Sequence, residues 1–110
     1  MLITMIQVRS GGGKIDGMGL QGHYVYDNVP STNTLRKILN EFANMNLDVA
    51  ITELDIRMNF GNINDYTAQM QVDGYANVMA ACRDVYRCVG VTLWGFTDRT
   101  SWVGYSASCT

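Results

Sequence analysis

Leu47 to Ile56 reads LDVAITELDI, an apolar run that sits between two stretches of helical periodicity. That placement constrains the fold more than any other feature, because a buried strand with a helix on either side belongs to a sheet whose neighbours are reached by crossovers. Upstream, Pro30, Ser31 and Thr32 offer turn and N-cap chemistry before Leu35, Ile38, Leu39, Phe42 and Met45, which recur at helical spacing. Downstream, a polar loop from Asn59 to Asp65 leads into a helix of about twenty residues marked by Met70, Tyr75, Val78, Met79 and Cys82. Residues 15–24 read as one short glycine-rich strand and Cys88–Phe96 as another. Residues 1–9, with Leu2, Met5, Ile6 and Val8, read as the tail of a helix that Gly11, Gly12 and Gly13 stop. The order of helix tail, strand, helix, strand, helix, strand predicts an α/β fold of parallel strands joined by right-handed crossovers.

With 110 residues, 47% of them apolar, the chain can bury one modest core and makes one domain or part of one. A net charge of −2 provides no basic stripe, which sets nucleic acid aside. The opening MLITMIQV lacks a cationic start and no later apolar run is long enough to cross a bilayer, so neither signal peptide nor membrane anchor is expected in this stretch. Cys82, Cys88 and Cys109 have neither metal-ligand spacing nor a C-x-x-C arrangement, and no metal or cofactor is expected. Gly17-Met-Gly-Leu-Gln-Gly22 matches G-x-G-x-x-G, but a dinucleotide fingerprint needs the glycines to open a helix directly. Here about eight residues and Pro30 intervene, so close packing of a glycine-rich strand is the reading.

The central strand carries two carboxylates. Side chains alternate, so Glu53 and Asp55 face one way while Leu54 and Ile56 face the other. An ionised carboxylate costs several kcal/mol to bury unless it is paired or hydrogen-bonded, which places these acids at a strand end beside a polar cleft. In parallel α/β folds the carboxyl ends of the strands open onto one face. Gln21 and His23 of the first strand, the two acids of the second, and Trp94 and Asp98 at the third should therefore converge. His23, the only histidine, could donate a hydrogen bond to both acids when protonated and to one when neutral, orienting Glu53. Trp94 and Trp102 flank a polar loop and suit either a packed rim or stacking on a sugar ring. Glu41, the only other glutamate, falls on the polar side of its helix and should be solvated. A retaining glycosidase needs two carboxyls about 5–5.5 Å apart, and one is evident here. Cys82 and Cys88 are too far apart for a disulfide on one continuous helix, by roughly 9 Å of rise against about 7 Å tolerated. A bridge requires the helix to end between them; otherwise they are two buried thiols, with Cys109 left unpaired.

The segments IDGMGLQGHY, DVAITELDIRM and CVGVTLWGFTDRTSW, supported by QVDGYANVMAAC, resemble the C-terminal part of glycoside hydrolase family 10, the endo-β-1,4-xylanases, from Lys14 to Trp102. The resemblance implies a partial (β/α)8 TIM barrel, strands six to eight, with residues 1–110 an incomplete catalytic domain. It implies Glu53 as nucleophile of a retaining hydrolysis, His23 and Asp55 as its supporting network, and Gln21 as a contact to the sugar beside the scissile bond. Trp94 and Trp102 match aromatics that wall the xylose subsites on the non-reducing side. Cys82 and Cys88 match a disulfide common in fungal members, which fits secretion. The implied partners are xylan and xylo-oligosaccharides, the implied intact state is a monomer, and no cofactor is implied. The family's acid/base glutamate, in a VNE motif on the fourth strand, would lie upstream with the first five strands and their Lys, His and Asn contacts. After Trp102 the text VGYSASCT departs from the family pattern. The chain alone is therefore expected to be inactive, and the alternative is a non-catalytic fragment that binds xylo-oligosaccharides.

Overall fold

The computed structural model describes residues 2–59 and 61–103, so Cys109 and the tail beyond Val103 lie outside the described residues. Helix α1 (Leu2–Ser10) stops at the glycines, where the Gly11 and Gly13 amides donate back to the carbonyls of Gln7 and Val8 at 3.0 and 2.8 Å. Met5 carries α1 into the core, while Ile6 and Val8 stay exposed. Two strands follow where one was expected: β1 (Gly17–Leu20) and β2 (His23–Val25). The break is at Gly22, whose φ of 86° cannot continue an extended strand.

Helix α2 (Thr32–Ala43) is capped by Ser31, whose Oγ accepts from the Thr34 amide at 3.2 Å. It leads to the central strand β3 (Asp48–Arg57). Helix α3 (Asp65–Asp84) opens on a reciprocal capping box between Asn64 and Thr67. Its buried face runs through Gly74, Val78, Ala81 and Cys82. Met79, expected inside, is 52% exposed because its place next to Val78 turns it about 100° off that face. The last strand, β4 (Cys88–Leu93), ends three residues before the expected Phe96, since Gly95 turns the chain with a φ of 86°.

Every pairing is parallel and β3 is central, with β1 and β2 on one side and β4 on the other. The carbonyls of Gln21 and Gly22 still accept from the Glu53 and Asp55 amides at 2.9 and 3.2 Å, so β1 and β2 remain two halves of one edge. One core holds the sheet to its helices: Val49, Ile51, Leu54 and Ile56 of β3 meet Leu35, Leu39 and Phe42 of α2 and Val78 and Ala81 of α3. The architecture is an open run of parallel strands and crossover helices, a part of a (β/α)8 barrel.

The buried residues of β3 expose a conflict in strict alternation. Val49 and Ile51 have odd positions and Leu54 and Ile56 even ones, and a regular strand cannot bury both pairs on the same side. β3 resolves this with an extra residue between Ile51 and Leu54. Leu20 pairs with Ile51, but His23 pairs with Asp55, one position further along. The register against β4 slips at the same place. This bulge restores the apolar residues to the helix side and turns Glu53 and Asp55 to the opposite face.

Beyond Leu93 the β4 edge of β3 loses its partner, and α3 side chains take over. Tyr75 Oη accepts from the Ile56 amide at 3.3 Å, and Gln71 Nε2 donates to the Ile56 carbonyl at 2.6 Å. At the other end of the sheet Arg87 donates to the Leu47 carbonyl and Asn46 Oδ1, each at 2.9 Å, and pairs with Asp48 at 2.9 Å. Nearby, α3 stops at Asp84 and the chain doubles back, bringing the Cα atoms of Cys82 and Cys88 to 5.2 Å, and the two form a disulfide. Among the described residues no helix is long and apolar enough to cross a membrane.

Candidate active site

The interrupted edge and the bulge together place a histidine between two acids. His23 opens β2 directly after Gly22, and its register partner on β3 is Asp55. Its Nδ1 lies 2.9 Å from Asp55 Oδ1 and its Nε2 lies 3.1 Å from Glu53 Oε2. Carboxylates only accept, so both contacts are hydrogen bonds together when the ring is the imidazolium, which donates twice. The Asp55 hydrogen bond raises the His23 pKa above its usual 6.5, partial burial opposes the rise, and Glu53 adds to it. The two carboxylates thus favour the imidazolium more than water does.

The two acids differ in what remains free. Asp55 is 5% exposed, and its second oxygen, Oδ2, accepts from the Trp102 indole Nε1 at 2.6 Å. Glu53 is partly exposed, and its Oε1 enters no hydrogen bond among the described residues. Both Asp55 oxygens are engaged by neighbours, while one Glu53 oxygen is unengaged among the described residues. Trp102 also packs edge-on against the His23 ring, with centroids 5.5 Å apart and planes at 86°. The Arg57 guanidinium lies 5.9 Å from the centre of the Trp102 ring.

Of the residues singled out in the sequence, His23, Glu53, Asp55 and Trp102 meet directly. Gln21 is exposed and reaches the cluster through its backbone carbonyl, which accepts from the Glu53 amide. Trp94 is 49% exposed and lines a cavity of about 560 Å³ with Tyr75, Phe96, Asp98 and one flank of Asp55. That hollow touches neither Glu53 nor His23, so it adjoins their cluster without containing it. Among the described residues no cluster of His, Cys, Asp or Glu is arranged to hold a metal. Glu41 is exposed, as expected. One member of the site, Arg57, and one contact, from Trp102 to Asp55, were missed in the sequence. Arg57 continues the alternation of Glu53 and Asp55 and was within reach of that argument. The indole bond of Trp102 to Asp55, 47 positions apart, has no local signal.

Residues 1–109 match the profile described as Glycosyl hydrolase family 10. An endo-1,4-beta-xylanase 1 of Gibberella zeae is 45% identical over 103 residues, which is 87% of this chain and 29% of that protein. An endo-1,4-beta-xylanase of Agaricus bisporus is 46% identical over 100 residues, covering 86% of this chain and 29% of its own length. The solved structure of a Penicillium canescens endo-1,4-beta-xylanase superposes with a TM-score of 0.90 at 32% identity, over 97% of this chain and 32% of that one. A family 10 xylanase from Bispora sp. MEY-1 with xylobiose gives 0.91 at 33% identity, with the same coverage. The chain spans about a third of the length of these relatives.

Proposed function

The chain belongs to glycosyl hydrolase family 10, and from that premise we propose that residues 1–110 are the C-terminal part of the catalytic barrel of a retaining endo-1,4-β-xylanase that cuts internal β-1,4 bonds of xylan. Glu53 is the nucleophile in this reading. Its free oxygen attacks the anomeric carbon, the bond to the leaving sugar breaks, and a second carboxyl protonates that departing oxygen. Water then releases the glycosyl-enzyme with the second carboxyl acting as base. The observation that carries the assignment is the unequal use of the two acids: both Asp55 oxygens are engaged, by His23 and Trp102, while one Glu53 oxygen is free.

His23 holds the reacting carboxylate at a fixed angle, and Asp55 fixes the ring that holds it. In this reading Gln21, exposed at the break between β1 and β2, contacts the sugar beside the scissile bond. Trp94 and Trp102, each nearly half exposed, offer flat apolar faces to xylose rings. The proton donor belongs to the part of the barrel outside this chain, because Asp55 has no free oxygen and no third carboxyl joins the cluster among the described residues. The disulfide between Cys82 and Cys88 supports secretion, since such bonds persist in oxidising compartments. For the chain by itself the exposed tryptophans favour a second reading, binding of xylo-oligosaccharides without turnover.

The test uses the complete enzyme and a 2-deoxy-2-fluoro xylobioside carrying a good leaving group, which forms the glycosyl-enzyme and hydrolyses it slowly. Mass spectrometry of the digest should place the added sugar on the peptide containing Glu53, and Glu53→Ala should abolish both labelling and xylan hydrolysis. A label on another residue, or turnover that survives in Glu53→Ala, refutes the assignment.

A further inference from the structure

We infer that Trp102 and Arg57 are positioning residues for the nucleophile, linked to it by an unbroken series of contacts from guanidinium to indole to Asp55 to His23 to Glu53. The inference rests on the proposed role of Glu53 and extends it to two residues that need not touch the reacting atoms. The Arg57 guanidinium sits 5.9 Å from the Trp102 ring centre, the indole Nε1 donates to Asp55 Oδ2 at 2.6 Å, and Asp55 Oδ1 holds His23 Nδ1 at 2.9 Å. His23 Nε2 then meets Glu53 Oε2 at 3.1 Å.

Two facts distinguish this arrangement from a simple aromatic wall. The Trp102 bond ends on a carboxylate that is 5% exposed, so removing it leaves Oδ2 without that donor in a place where water has little access. Arg57 forms no ion pair with either acid among the described residues, and its Nε is buried without a hydrogen-bond partner. Its described contact with the site is therefore through the ring. A cation over the ring face draws π density toward itself and leaves the N–H more acidic, which strengthens the donation to Asp55. A methionine at 57 would fill space without that polarisation, and a phenylalanine at 102 would keep a stacking face without the donor.

The experiment is a double-mutant cycle in the complete enzyme with Trp102→Phe, Arg57→Met and the pair, each assayed on xylo-oligosaccharides. Trp102→Phe should lower kcat roughly tenfold or more, as expected for loss of a hydrogen bond to a charged group, with KM changed by less than about threefold. Arg57→Met should lower kcat too, and the double variant should be no worse than Trp102→Phe alone. Effects that multiply in the double variant would overturn the linkage, and a rise in KM with kcat unchanged would reduce Trp102 to a wall. Should Arg57→Met fail to fold, Arg57→Lys keeps a cation over the ring and should hold kcat within about threefold; a tenfold loss there overturns the role. The NMR titration of the His23 ring reads the same linkage independently of Glu53 being the nucleophile. Its midpoint should move in Trp102→Phe and move no further in the double variant, and an unmoved midpoint overturns the inference even where catalysis is unaffected.

Discussion

Gly22→Ala examines the turn that sets His23 in place. The backbone at Gly22 has a φ of 86°, a region that costs an L-residue about 1–2 kcal/mol. A Cβ built there would lie 2.8 Å from Ile51 Cγ2. Ile51 is 1% exposed and β-branched, hence stiff at χ1, so overpacking adds about 1–3 kcal/mol. The expected loss is about 2–5 kcal/mol in all. Gly61→Ala is the matched control: its φ is 90°, yet among the described residues beyond its chain neighbours a Cβ there meets nothing within 4 Å, so it should cost only the backbone share. Urea unfolding of the complete enzyme, read by tryptophan fluorescence, measures both. Gly22→Ala should also lower activity because His23 is the next residue, whereas Gly61→Ala should leave activity largely intact. If the two variants lose the same stability, the clash with Ile51 does not exist as described; if neither loses any, the positive φ values are wrong as well.

Replacing Cys82 and Cys88 by serine opens a loop of separation 6 and should cost about 2 kcal/mol on the chain-entropy account, seen as a lower urea midpoint, with reduction of the wild type giving a similar drop. The His23 pKa is raised by folding, so its contribution to stability is fully present below the usual 6.5 and is lost as pH rises through the folded value. The stability difference between wild type and His23→Gln should therefore shrink on going alkaline across that window, and a difference that grows with pH would contradict the assigned contacts. Arg87→Met removes the donor to the Leu47 carbonyl, whose residue is fully buried, and should cost about 1–3 kcal/mol in the same unfolding assay. A change below about 0.5 kcal/mol would mean that water replaces the guanidinium there.

The legible parts of the fold were those carried by repetition. α2 and α3 announced themselves through apolar residues at helical spacing, and α2 also through the capping chemistry at Ser31; the cap of α3 at Asn64 was not read. β3 was legible as a buried strand, and its acids were correctly set apart from Leu54 and Ile56. Two single-residue irregularities were not read: the turn at Gly22 and the extra residue of β3. Both are invisible to a period-2 argument applied over a few positions, although the change of parity from Val49 and Ile51 to Leu54 and Ile56 was there to be counted. The meeting of His23 with Glu53 and Asp55 followed from parallel neighbours at a strand end. The part played by Trp102 did not, because a contact between residues 55 and 102 depends on how the loop after β4 returns over the sheet. Leu93 marks the end of β4 for a similar reason: Gly95 alone does not say in sequence whether it will turn the chain or pass through a strand.

The irregular step in β3 sets stability and reactivity against each other in one place. The same ten residues paired in strict alternation, without that step, would put Glu53 and Asp55 on the side of Val49 and Ile51. The carboxylates would then lie among the leucines and valines under the helices, leaving a more regular ladder and a polar face without its acids.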